Sequence, residues 1–331
     1  MSSVPYMTTV GNLSKIGDFC TVLINSFLIF ITHYHIKDIT SAYKSLIMLL
    51  ASLGIVPLSI LDFFIQPFMH SYNSSFNYFT TSPVFGASKQ LKTFLLLIYS
   101  CLYAVFICLI AIQFIYRFIL ITGSRNIRFF TKRKCHWLFF YVLTGVTIWV
   151  LSLTCGREDQ FSNDYLRKEM LSEYDSNVEE VPGYFMIFYE HPDDHRNIHL
   201  KGLLYVSGVS IFLLSQYSVI LYCSLRIQAK ITSLMTSSKI HRIQKQLFRT
   251  LVIQTLTPSI FHHSPIFLAY LICFLDLNVS FPSGVMICFF SFFPVVDSLI
   301  LMNFVAEYRK VIKNLLFGKL LKSTSTQENK T

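Results

Sequence analysis

Formal charge is scarce in this chain: only 14% of its 331 residues are Asp, Glu, Lys or Arg, against about 25% in an average soluble domain. That scarcity excludes a disordered chain and an ordinary water-soluble globule. Acid is scarcer than base, with 18 Asp+Glu against 28 Lys+Arg. In a soluble protein such a surplus would point to nucleic acid. Here it is read against a membrane, where basic residues sort by side, so no nucleic-acid partner is expected. The eight cysteines include no C-x-x-C pair and no Cys/His zinc spacing, which excludes a disulfide scaffold and argues against a metal centre. Most of them read as small apolar packing residues. Gly-Val-Ser-Ile at Ser210 lacks the following Gly of a nucleophile elbow, and no motif places a second catalytic group near His262 and His263. Neither an enzyme nor a cofactor is expected.

What the chain has instead is long charge-free runs. Asp18 to Lys37 encloses 18 residues, Lys92 to Arg117 24, Lys134 to Arg157 22, Lys201 to Arg226 24, and Arg249 to Asp276 26. Each spans a bilayer core, which takes roughly 20 helical residues. Two further runs, Tyr43 to Pro67 and Phe281 to Ala306, are each broken by one acid, Asp62 and Asp297. None shows the period of two that a membrane barrel requires. The fold class is therefore an all-α membrane protein, a bundle of seven transmembrane helices. Residues 1–16 read as an outer tail, 17–306 as the bundle and 307–331 as an inner helix and tail. No cleavage pattern follows the first apolar run, so it reads as a signal anchor.

Orientation follows from the basic residues. With the amino terminus outside, the inner segments carry 20 Lys+Arg and the outer ones 8, five of the latter in one long loop that counts for less. Glycosylation sequons at Asn12, Asn73 and Asn278 fall on the same outer side, while Asn329 falls inside.

Two inner loops, SRNIRFFTKRKC and RIQAKITSLMTSSKIHRIQKQLFR, contain no acid. They suit orientation and contact with anionic membrane lipid, or a docking surface for an acidic partner such as a heterotrimeric G protein, and charge does not separate the two. After the last span, Tyr308, Val311, Ile312, Leu315 and Leu316 recur on one helical face with Arg309, Lys310, Lys313 and Asn314 on the other, which predicts an amphipathic helix on the inner leaflet. Ser323 to Thr326 read as a solvated tail, with phosphorylation the alternative. The second outer loop holds 11 of the 18 acids and reads as a solvated face, with a lid over a ligand vestibule as the alternative.

Ionisable residues within spans are functional candidates by default. Asp62 lies about 27 Å along the second helix from Lys44 and is expected to reach interfacial water. Arg117 closes the third helix at its inner end, where snorkelling is the simple expectation. Asp297 follows Pro294 by one turn and marks a hinge, since a helical proline leaves a carbonyl to be satisfied locally. His262 and His263 lie between Pro258 and Pro265 and point about 100° apart, so at most one faces a central cavity. Candidate ligand-binding residues are Tyr99, Tyr103, Tyr205 and His262 or His263, which combine aromatic walls with polar tips. Aromatic packing between helices is the alternative for each.

Three stretches resemble the nematode serpentine chemoreceptors of the Str-type superfamily, a divergent branch of G-protein-coupled receptors: QFIYRFILI, QKQLFRTLVIQTLTPSIFHHSP and FFPVVDSLILMNFVAEYR. The resemblance implies an odorant-type receptor that takes a small, mostly apolar ligand from outside and activates a heterotrimeric G protein inside. It implies the plasma membrane, in sensory cilia, and leaves a receptor dimer open. It assigns coupling and activation to Tyr116, Arg117, Pro258, Pro294, Asp297 and Tyr308. Tyr116 stands where rhodopsin-like receptors carry an acid, Cys101 lies too deep for the usual outer disulfide, and Asp62 lies too far out for sodium regulation to carry over. A seven-helix ligand-gated channel of inverted topology is the competing reading, and the charge count opposes it.

Overall fold

A computed structural model describes residues 3–37, 39–82, 86–123, 130, 136–190, 197–233, 239–277 and 279–315. Span one is α1 (Val4–Tyr34), opened by Pro5 in its first turn, where a missing N–H costs nothing. Span two is built from α2 (Ser41–Leu53), a π-helical segment Gly54–Ser59 and α3 (Ile60–Ile65). The strands β1 (Phe68–Tyr72) and β2 (Ser75–Phe79) follow as a hairpin. Span three is α4 (Lys89–Ile121), whose N-cap Ser88 accepts from the Leu91 amide. Span four is α5 (His136–Thr154). The second outer loop contains α6 (Gln160–Tyr174), begun by a capping box of Asp159 and Ser162, then β3 (Gly183–Ile187) and the short pair β4 (Tyr189–Glu190) and β5 (Asn197–Ile198). Span five is α7 (Leu200–Ser233). Span six is α8 (Lys239–Pro258), a second π-helical segment Ser259–His263 and α9 (Ser264–Leu275). After β6 (Ser280–Phe281), span seven is α10 (Val285–Phe304).

The helical part matches the sequence expectation of seven spans, with both π segments where Pro57 and Pro258 stand in the sequence. A π turn accommodates one extra residue and rotates everything beyond it. Span one shows how the bundle is held. Its buried stripe is mostly polar or small, with Ser14, Gly17, Asp18, Thr21, Asn25 and Thr32 beside Val10, Leu28 and Ile31, while Leu13, Ile16, Phe19, Leu23 and Phe30 face outward. In lipid, apolar surface gives no reason for helices to associate, so small side chains and hydrogen bonds do that work. Thr21 donates to the Ser291 carbonyl at 3.0 Å, Asn25 donates to the Ala51 carbonyl at 3.2 Å, and Ser298 donates to Asn25 at 2.5 Å. Span one is thereby stitched to spans two and seven.

Four strands in the order β3-β2-β1-β6 make an antiparallel sheet across one end of the bundle. Nothing in the charge-free runs foretold it, because its strands come from three separate loops. Asn73 makes the β1–β2 turn with a left-handed backbone at φ 47°, a conformation asparagine tolerates. Strand alternation gives the sheet two apolar faces. Met69, Phe76, Tyr78, Tyr184 and Met186 join the core of the bundle, whereas Phe68, Phe79 and Phe185 pack against Leu166, Met170 and Tyr174 of α6. The acid-rich loop is thus a folded lid as well as a solvated face.

At the opposite end, residues 306–315 are helical. Val311, Ile312 and Leu315 pack on the core while Arg309, Lys310, Lys313 and Asn314 are exposed. Leu316, Ser323 to Thr326 and Asn329 lie outside the described residues. The segment read as an outer tail is helical from residue 4, and Ser3 is tied to Glu173 of α6 through its amide at 2.9 Å and hydroxyl at 2.6 Å.

A candidate ligand cavity and a buried arginine

Below the sheet, spans three to seven enclose a cavity of ≈170 Å³. Its walls are almost wholly aromatic and aliphatic: Tyr99, Tyr103 and Phe106 from span three, Trp149 and Leu153 from span four, Tyr205 and Val209 from span five, His263 and Tyr270 from span six, and Phe290 and Phe293 from span seven. The structure therefore brings Tyr99, Tyr103, Tyr205 and His263 to one wall system. The His262 side chain lies outside the described residues. His263 closes the π-helical segment, whose extra residue sets the direction that a sequence position could not reveal.

His263 is braced by two phenols. Its Nε2 shares a short hydrogen bond with the Tyr103 hydroxyl, and its Nδ1 lies 3.0 Å from the Tyr217 hydroxyl. A neutral imidazole donates through one nitrogen and accepts through the other, so both bonds form without a charge. Tyr217 also meets Ser259 at 2.8 Å, Trp149 donates to Ser100 at 2.5 Å, and Tyr205 bonds Tyr270 at short range. Tyr217, Tyr270 and Trp149 were not among the sequence candidates. Their hydroxyls and indole are turned inward by helix rotation, for which the sequence of these spans carries no periodic signal.

Tyr99 links this cavity to a pair of acids. Asp62, beside it, accepts from Ser291 at 2.8 Å, and Asp18 of span one is its acidic neighbour. Asp62 is 3% exposed and Asp18 5%. The expectation that Asp62 reaches interfacial water is thus corrected. The π segment below it turns its side chain toward span one, and sheet and lid raise the enclosed part of the bundle above its level. Asp18, taken from the charge pattern as the border of span one, stands inside that helix.

At the other end of span three, Arg117 is 1% exposed and its guanidinium carbon lies 3.6 Å from the centre of the Tyr43 ring. It packs inward on span two, which corrects the expectation of snorkelling. Tyr116 stacks on the other partner of that group, its ring 6.0 Å from Tyr43 and 12° from parallel, and its hydroxyl meets Thr40 at 2.8 Å. Tyr308 is fully buried against span one through Thr32, at 2.9 Å. Pro258 heads the π segment of span six and also lines the cavity. Pro294 is buried in span seven. One turn on, Asp297 presents its carbonyl to Gln254 at 3.2 Å, beside a polar void of ≈10 Å³ shared with Asn25, Gln113 and Ser298. That is room for one water.

Of the sequons, Asn12 is exposed on α1 and Asn73 is half-buried at the hairpin turn, while Asn278 lies outside the described residues. Outside the spans, β1, α6 and β6 are joined by one network. His70 donates from Nε2 to Glu169 at 3.0 Å and accepts at Nδ1 from Tyr174 at 2.9 Å, and Ser280 donates to Glu169 at 2.5 Å. Burial acts to raise the pKa of Glu169, but the bonds from His70 and Ser280 outweigh it and hold the carboxyl below its ordinary value.

Comparison with known proteins shows the family and the fold. The family described as "Serpentine type 7TM GPCR chemoreceptor Str" matches residues 11–313. "G-protein coupled receptor str-33" of Caenorhabditis elegans is 34% identical over 307 residues, covering 91% of this chain and 89% of that receptor. "Serpentine receptor class r-10" of the same organism is 24% identical over 323 residues, covering 96% of this chain and 94% of that one. Among solved structures, squid rhodopsin superposes with a TM-score of 0.60 at 12% identity, over 96% of this chain and 87% of its own. That likeness concerns the fold.

Proposed function

The chain belongs to the Str family of serpentine seven-transmembrane chemoreceptors, and from that premise we propose that it is a plasma-membrane receptor for a small apolar ligand that activates a heterotrimeric G protein. Sensory cilia are the proposed site, with the sheet end outside and the basic end in the cytoplasm. The observation that carries this reading is the apolar cavity with a few fixed polar tips, the composition of a small-molecule site. Spans three, five, six and seven all contribute to it, so a ligand that fits one relative arrangement of these helices better than another shifts the population between them. Each 1.4 kcal/mol of difference changes the ratio about tenfold.

Three features between the cavity and the cytoplasmic end suit the response. Spans six and seven carry Pro258 and Pro294, where the helical ladder is already broken, and Arg117 packs on Tyr43 of span two while span three stays against it. A rearrangement that moves those helices frees a cation beside two loops rich in Lys and Arg, facing the membrane surface where a G protein docks. The test is nucleotide exchange. Receptor reconstituted in lipid with purified heterotrimeric G proteins is exposed to a panel of small uncharged volatile compounds and GTP-analogue uptake is measured. Exchange above the ligand-free level by at least one compound, absent in Arg117→Ala, is expected. A panel without effect on any G-protein class would count against the reading.

A further inference from the structure

The cavity is shut toward the sheet end by two layers. Met69, Phe76, Tyr78 and Met186 form its roof, and the opposite face of the same strands is sealed under α6. A molecule arriving from water at that end meets an apolar sheet clamped below a helix. The side wall between spans five and six is built differently. Span five packs along spans three and four, and span six packs along span seven, but among the described residues spans five and six touch each other sparsely.

What joins them is a pair of hydrogen-bonded posts. One is Tyr205 to Tyr270 near the sheet, and the other is Tyr217 to Ser259 and His263. The posts stand about 18 Å apart along span five. Between them, Ser210 and Phe267 line the cavity and are also exposed, Phe267 to 67%. A residue that borders the cavity and the outer surface of the bundle marks a wall one side chain thick. At this depth the outer surface faces lipid.

We infer that the ligand of this cavity is an uncharged lipophilic molecule that enters sideways from the bilayer, through the gap between spans five and six framed by the two tyrosine posts. The inference rests on reading the cavity as the ligand site. A solute dissolved among lipid tails reaches the gap without shedding a hydration shell, and Phe267 is the exposed side chain in its way. The tyrosine posts bound the gap above and below and tether the two spans there. A charged solute does not accumulate at that depth and is excluded by the route even where its shape would fit.

The experiment uses full-length receptor in nanodiscs and the neutral lipophilic fluorophore 1-aminoanthracene, with energy transfer from Trp149 in the cavity wall as the readout against empty discs. Lateral entry makes the association rate follow the mole fraction of probe in the lipid when the lipid-to-receptor ratio is varied at fixed total probe. Ser210→Phe narrows the gap and slows association and dissociation together by tenfold or more, with the dissociation constant within about twofold. Phe267→Ala speeds both, which keeps the test decisive if the first variant folds poorly. A rate that follows the aqueous concentration, or rates indifferent to both substitutions, overturns the route. Failure of the probe to bind saturably overturns the ligand class. No step involves a G protein, so this inference can fail while the exchange experiment succeeds, and the reverse.

Discussion

The guanidinium of Arg117 and the ring of Tyr43 form a buried cation–π pair, 3.6 Å from charge centre to ring centre. A desolvated pair of this kind is worth about 2 kcal/mol. It joins span three to span two at the end of the bundle that carries the basic loops, and Tyr116 stacks on the same ring. Arg117→Ala is expected to keep surface delivery and abolish G-protein exchange, whereas Tyr43→Leu removes the pair but keeps the cation and is expected to raise ligand-free exchange. Surface labelling and exchange assays on both variants check this. Ordinary signalling by Arg117→Ala would remove the residue from the coupling mechanism.

His263 is the partner of two phenols, so substitution there is felt twice. His263→Phe preserves bulk and leaves the hydroxyls of Tyr103 and Tyr217 each short of a bond, at about 1–3 kcal/mol per buried group. The expected result is a fall in thermal stability and at least a tenfold rise in the concentration of apolar agonist needed for half response. Dose-response curves on surface-delivered receptor decide the matter. An unchanged curve would mean that the histidine only packs.

Gly54 of span two sits against spans one and seven. A Cβ at this position would stand 2.5 Å from Asn25 Nδ2 and 3.0 Å from Pro294. Asn25 is short and bonded to both neighbouring spans, so it has little room to give. Gly54→Ala is expected to destabilise the receptor by about 1–3 kcal/mol, as overpacking does, visible as a lower unfolding temperature in detergent. Gly86, with no atom within 4 Å of its would-be Cβ but a left-handed φ of 64°, makes a useful contrast through backbone strain alone.

The lid should be acid-sensitive through Glu169. Its folded pKa is depressed below the ordinary 4.5, so the stability it contributes is fully present above that value and is lost as pH falls through the folded one. Glu169→Gln should flatten this loss. Proteolysis of α6 at pH 3 and pH 7, in wild type and variant, measures it, and equal acid sensitivity in the two would assign the effect to other carboxyls.

Glycan mapping tests the orientation. Asn73→Gln or Asn12→Gln is expected to remove a glycosidase-sensitive gel shift from receptor made in membrane-expressing cells. A shift that depended on Asn329 alone would invert the chain and revive the channel reading.

How far the sequence reached can be judged residue by residue. The spans, the basic bias and the helix at 306–315 were legible because partition into lipid acts on local runs of sequence, one stretch at a time. Tyr99, Tyr103, Tyr205 and His263 were legible as polar-tipped aromatics in spans, though not as one cavity. Tyr217, Tyr270 and the Asp18–Asp62 pair were not. Their importance comes from how the helices are rotated against one another, which for Asp62 and Tyr270 includes the turn added by a π-helical segment earlier in the same span.

The amino-acid sequence by itself determined that seven helices cross a membrane and that base gathers at one end, because both follow from the transfer energies of short segments. Only the tertiary structure decided that Arg117 lies over Tyr43 rather than in the headgroups, that His263 is clasped by two tyrosines, and that strands from two loops roof the cavity. Those outcomes depend on helix rotation and on pairing between segments far apart in the chain, where a shift of one residue changes every partner.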